Sequence, residues 1–160
     1  MKVYSLLAAV LLFSACTKDE PAPSVEERLR GNWKQSAGKV TYFYAPTQLD
    51  TTVEYFKDGA KCYKDDVLTL KAGYLGEVFY GAVACTPSEQ QINPLTWQIR
   101  NNDTTLEIDN SRQFFYGANP MRGSFQGEIG NTFTVRYVVD SIDQNGRPLL
   151  YTFTNTYAKQ

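Results

Sequence analysis

Cys62-Tyr63-Lys64-Asp65-Asp66-Val67-Leu68-Thr69-Leu70-Lys71-Ala72-Gly73-Tyr74-Leu75-Gly76-Glu77-Val78-Phe79-Tyr80-Gly81-Ala82-Val83-Ala84-Cys85 holds the clearest architectural signal in the chain. Two alternating runs, Val67–Lys71 and Tyr74–Tyr80, flank Ala72-Gly73, which reads as the turn of a β-hairpin. A cysteine stands just outside each strand, so folding the hairpin draws the two sulfurs towards each other. A bond between them would fasten the open end and fix the register.

Further strands follow from this pair in both directions. Upstream, Gly31-Asn32-Trp33 opens a strand through Lys34–Tyr44, which Pro46 ends. Thr47–Lys61 is ambiguous, with Val53–Phe56 fitting a short strand or a helical turn and Asp58-Gly59 a turn. Downstream, Thr86–Pro94 reads as a polar loop and Leu95–Arg100 as a strand, turned by Asn101-Asn102-Asp103 into Thr104–Asp109. Ser111–Gly123 is irregular but carries Phe114, Phe115, Tyr116 and Met121, and Ser124–Ile129 reads as the next strand. Thr132–Asp140 alternates with Phe133, Val135, Tyr137 and Val139 on one side; Asn145-Gly146 signals a type I′ turn into Leu149–Tyr157.

About eight short antiparallel strands joined by tight turns predict an all-β chain closed into an up-and-down barrel, which removes exposed edges. A β-sandwich is the alternative, because periodicity does not distinguish closure from stacking. Ser24 and Glu27 make a capping-box pattern, so a short helical turn precedes the first strand.

The first residues predict a targeting segment: Lys2, then an apolar run Leu6–Phe13 too short to span a bilayer. Leu12-Phe13-Ser14-Ala15-Cys16 resembles a bacterial lipobox, which implies cleavage after Ala15 and acylation of Cys16 with palmitate-type chains. Two or more such chains anchor a protein stably, each buried methylene contributing about 0.8 kcal/mol. An ordinary secretory signal cut near Ala15 is the plainer alternative. The organisation is therefore a signal peptide over 1–15, a polar lipidated tether over 16–24 and one domain over 25–160. Cys-Thr-Lys-Asp-Glu at 16–20 also resembles the acidic export tags of surface lipoproteins in Bacteroidota. The expected location is the outer membrane, on the cell surface or on the periplasmic face.

Acylation of one of the three cysteines leaves Cys62 and Cys85, an even pair for a disulfide in an oxidising compartment. Two thiols and no histidine leave no zinc set, and no metal or cofactor is expected. Losing residues 1–15 removes Lys2 alone from the 16 basic residues, leaving 15 against 17 acidic, or −2. Such a chain lacks the basic field that nucleic acid requires.

The resemblance extends over the domain. Gly31-Asn32-Trp33, Cys62 with Lys64-Asp65-Asp66, Leu68 and Leu70, Cys85, Leu95-Thr96-Trp97 and Leu106-Glu107-Ile108 together resemble the small lipocalin-like lipoproteins of Bacteroidota. It implies an eight-stranded barrel whose cup takes a small apolar ligand. The Thr-Asp-Tyr element of better-known lipocalins is not found midway, nor is an arginine on the last strand to stack on Trp33.

Without histidine there is no Ser-His-Asp triad, so the expectation is a protein that is not an enzyme. The carboxylates Asp65, Asp66, Glu77, Glu107, Asp109, Glu128 and Asp140 mostly alternate with apolar residues, as on a solvated outer face. Aromatic residues are the remaining functional material. Trp33 is expected to plug the barrel base. Phe79, Trp97, Phe133, Tyr137, Tyr151 and Phe153 either line a ligand cup or form plain core. Phe114-Phe115-Tyr116 either makes an exposed rim patch for a glycan or an envelope protein partner, or folds over the mouth as a lid.

Overall fold

The computed structural model of the protein describes residues 21–44, 49–59, 61–83, 91–111 and 114–160. The signal-peptide and Cys16 readings, and the position of Cys85, lie outside these residues. Helix α1 (Val25–Leu29) precedes strands β1 (Gly31–Tyr44) and β2 (Leu49–Val53), then helix α2 (Tyr55–Asp58). Strands β3 (Val67–Leu70), β4 (Leu75–Phe79), β5 (Ile92–Arg100), β6 (Thr105–Asp109), β7 (Met121–Phe125), β8 (Thr132–Ile142) and β9 (Pro148–Lys159) complete the fold.

Every pairing is antiparallel, in the order β2-β1-β3-β4-β5-β6-β7-β8-β9, and β9 returns to β1. All strands except β2 therefore form a closed eight-stranded barrel, and the sandwich is excluded. One edge of β1 is shared: Gly31–Lys34 pair with β3, and Val40–Tyr44 pair with β2. The ambiguous segment before the hairpin thus holds both a strand and a helix.

The hairpin expected over Val67–Tyr80 forms, with β3 and β4 in register from Val67↔Phe79 to Leu70↔Gly76. Its turn needs left-handed backbone at Gly73 and Tyr74 (φ 73° and 62°). The Trp97 indole N–H donates to the Lys71 and Leu75 carbonyls at 3.1 and 2.9 Å, holding that turn against β5. At the open end, the Asp66 and Asp65 carboxylates accept from the Gly81 and Val83 amides, both at 3.3 Å.

Two strands and one turn depart most from the sequence reading. Strand β5 begins at Ile92, not Leu95, because the Asn93 and Asn110 side chains stitch this start to the end of β6. Strand β7 runs over Met121–Phe125 rather than Ser124–Ile129; Met121 and Gly123 face inward and the chain leaves the sheet after Phe125. The β8–β9 turn is not type I′, since only Gly146 has positive φ (76°). Asp143 instead organises a three-residue loop: its carbonyl accepts from Gly146, and its carboxylate accepts from Asn145 and Arg147.

One end of the barrel is closed. Leu29, Trp33 and Phe133 are buried there, with the Phe133 ring edge-on to Trp33 at 4.7 Å. The Trp33 indole donates to the Leu29 carbonyl at 2.6 Å, which fixes α1 across the base. Trp33 is thus the plug the sequence reading expects. The middle is filled by Leu68, Leu70, Val78, Leu106, Ile108 and Val135, all buried.

Candidate functional site

Strands β1, β8 and β9 are the long ones, and together with β2 they form one wall that continues beyond the shorter β3–β7 at the open end. Alternation brings Val40, Tyr42, Tyr151 and Phe153 to the inner side of this wall. Tyr55 enters from α2 and Tyr116 from the loop before β7. These six side chains line an apolar cup of about 200 Å³.

The lining is held by ring contacts. Tyr42 meets Tyr151 edge-on at 4.9 Å, Tyr55 meets Tyr116 edge-on at 4.9 Å, and Tyr116 stacks on Phe153 at 5.2 Å. Such pairs contribute about 0.5–1.5 kcal/mol each beyond burial. Tyr55 reaches this position because Gly38 has no Cβ; one there would lie 2.6 Å from the Gln35 amide nitrogen and 2.7 Å from the Tyr55 hydroxyl.

Beneath the cup lies a polar cluster centred on Asn155, which is fully buried. Its amide nitrogen donates to the Tyr137 and Tyr157 hydroxyls at 3.2 and 3.3 Å, and its oxygen accepts from Tyr55 at 2.6 Å. Gln35 donates to the Tyr55 hydroxyl at 2.9 Å. The cluster satisfies groups that would otherwise be costly to bury.

Burial raises the pKa of every phenol in this cluster. For Tyr55 its hydrogen bonds with Gln35, Tyr116 and Asn155 oppose the rise. For Tyr116 and Tyr137 the neighbouring phenols add to it, and Tyr157 is likewise pushed well above its ordinary value. The phenols are therefore neutral across the physiological range. The six lining residues include no carboxylate, amine or thiol. The cup offers ring faces and phenol hydroxyls.

The structure separates the six aromatic residues suggested for a cup. Tyr151 and Phe153 line it. Tyr137 lies buried directly below, stacked on Phe153 at 5.2 Å. Phe133 belongs to the closed base, and Trp97 is buried against the β3–β4 turn. Phe79 is not in the interior at all: it points outward from β4 and is 38% exposed, because β4 buries Gly76 and Val78 instead.

Phe114-Phe115-Tyr116 is not an exposed rim patch. Phe114 and Phe115 are buried, and Phe115 packs edge-on against Tyr137 at 5.8 Å. The segment packs into the barrel interior, with Tyr116 partly buried in the lining of the cup. Val40, Tyr42 and Tyr55 are site residues that sequence reading did not identify. The only sequence trace of Tyr55 is Gly38, whose role depends on a contact between distant segments.

The carboxylates do not converge on the cup. Glu107 accepts from Arg122 at 2.6 Å on the outer wall, and Glu77 pairs with Lys71 at 2.8 Å. Asp65 and Asp66 hold backbone amides. Cys62 is buried at the hairpin's open end. No protein-family model matches the chain, and no curated protein matches it in sequence.

Proposed function

We propose that this is a lipid-anchored, non-catalytic binding protein of the cell envelope, and that its cup takes one ring or similarly small amphipathic group. The observation that carries this reading is the filled barrel beneath a cup of about 200 Å³. Pockets that enclose a whole drug-sized ligand are larger, about 300–1,000 Å³. A ligand here would insert one group among the tyrosines and leave the rest outside. Aromatic faces beside neutral hydroxyls suit a sugar ring or an amphipathic head.

The envelope setting rests on the sequence: acylation at Cys16, a polar tether, and a disulfide between Cys62 and Cys85. The hydrogen bonds that the Val83 and Gly81 amides donate to the Asp65 and Asp66 carboxylates support that pairing, because they hold the two flanks of the hairpin side by side. A lipocalin-like outer-membrane lipoprotein is the class these features fit.

Native mass spectrometry of the domain purified from its own host tests the reading. The expected result is an extra mass that leaves on gentle unfolding and is lost in Tyr116→Ala. An unliganded protein, with no ring-bearing solute shifting the Tyr151 or Phe153 resonances, would overturn it. A second reading, contact with a glycan or partner protein through the rim, is favoured by Leu49 and Ile142, which are 67% and 72% exposed at the ends of their strands. Cross-linking from the rim in intact cells distinguishes it.

A further inference from the structure

The outer wall carries a second recess, separate from the mouth, of about 420 Å³. Its floor is a β-bulge in β1: Gln35 pairs with Tyr157 and Ala37 with Thr156, so Ser36 has no residue opposite. A bulge of this kind bends the strand and interrupts the ladder. Helix α2 forms one side with Phe56 and Lys57, while Lys39 and Lys64 stand around the opening.

Three ammonium groups therefore share a groove with one carboxylate, Glu54, in a chain whose net charge is −1. Lys39 pairs with Glu54 at 3.2 Å, which neutralises one of the three. Lys64 is held in place: its Nζ donates to the Lys57 carbonyl at 2.8 Å and stands 5.9 Å from the centroid of the Phe56 ring. Among the described residues no carboxylate pairs with Lys57 or Lys64. Two cations therefore border an aromatic face and an irregular stretch of backbone.

We propose that this groove binds a small anionic amphiphile, its oxyanion between Lys57 and Lys64 and its apolar body against Phe56 and the bulge. Lysine recognises an oxyanion as a compact charge with three donors, and the apolar floor adds burial. A free solute and a phospholipid headgroup offer the same chemistry. This inference is independent of the cup, because Tyr55 and Phe56 serve different recesses.

The test is an amide NMR titration of the full chain, carrying Cys16→Ser, with phenyl phosphate. Saturable shifts are expected at Ser36, Gly38, Phe56 and Lys57. The double variant Lys57→Ala/Lys64→Ala should weaken binding about tenfold or more while the remaining spectrum stays unchanged. Added salt should weaken it as well. A second arm measures sedimentation with phosphatidylglycerol vesicles against phosphatidylcholine vesicles. Binding to phosphatidylglycerol that is lost in the double variant supports the proposal and identifies a headgroup as the source; binding of phenyl phosphate alone supports it and identifies a solute. Equal affinity in the double variant, or no saturable response to either probe, would overturn it. Shifts confined to Tyr151 and Phe153 would also overturn it while leaving the cup reading intact.

Discussion

Lys159 Nζ stands 5.3 Å from the centroid of the Trp33 ring, at the last residue of β9 and directly across the pairing from Trp33 on β1. Gly31 leaves room for it, since a Cβ there would lie 3.1 Å from the Lys159 Cε. The cation covers the plugged end of the barrel, on a last strand that carries no arginine. A lysine supplies the charge without the planar fork.

Lys159→Ala should lower stability by about 1 kcal/mol, and Lys159→Met should recover the stem's packing but not the cation–π part. Urea unfolding followed by tryptophan fluorescence measures both. Equal stability of all three proteins would show that the contact contributes nothing.

The buried phenols make an alkaline prediction. Tyr55, Tyr116, Tyr137 and Tyr157 have folded pKa values raised mainly by burial. A group raised on folding contributes stability fully below its unfolded pKa, about 10 for tyrosine, and loses it as pH rises above that. Ultraviolet titration should show these four ionising only as the protein unfolds. Four freely titrating extra phenols in the folded state would contradict the buried cluster.

On the acid side the sign reverses. The Arg122 hydrogen bond, aided by Gln98 and the Arg100 charge, holds Glu107 below its ordinary range despite the opposing effect of burial. Its contribution is present above the usual carboxylate range and lost as pH falls through the folded value. The Glu107 side chain is only 9% exposed, whereas Arg122 is 65% exposed, so solvent weakens the pair. Glu107→Gln should cost about 1 kcal/mol at neutral pH and nothing at strongly acid pH, by urea unfolding.

Gly81 allows the hairpin's flank to approach the Asp65 carboxylate, where a Cβ would collide with it. Gly81→Ala should therefore destabilise by about 1–3 kcal/mol. Reductant should lower stability by roughly 3 kcal/mol through the proposed Cys62–Cys85 bond. Thermal melts with and without reductant that coincide would remove the disulfide from the scheme.

Cys16→Ser should move the protein from the membrane fraction to the soluble fraction of its host. Tight association of the variant with membranes would exclude acylation as the anchor.

The all-β character, the central hairpin, the plugging tryptophan and most strands were legible because period-two alternation is local, and each strand carries it alone. The Thr132–Asp140 pattern survives unchanged in β8, with Phe133, Val135 and Tyr137 buried. What local pattern does not contain is which inward positions sit at the same height in the barrel. Closure sets that through register, and it sends Phe133 to the base, Tyr137 to the polar cluster and Phe153 to the cup. The second recess follows the same rule: Ser36 becomes a bulge only against β9, and Lys39, Lys57 and Lys64 meet only when α2 packs beside that bulge. Strands were written in neighbouring residues; both candidate sites were made by distant ones, brought together by the closing of the barrel.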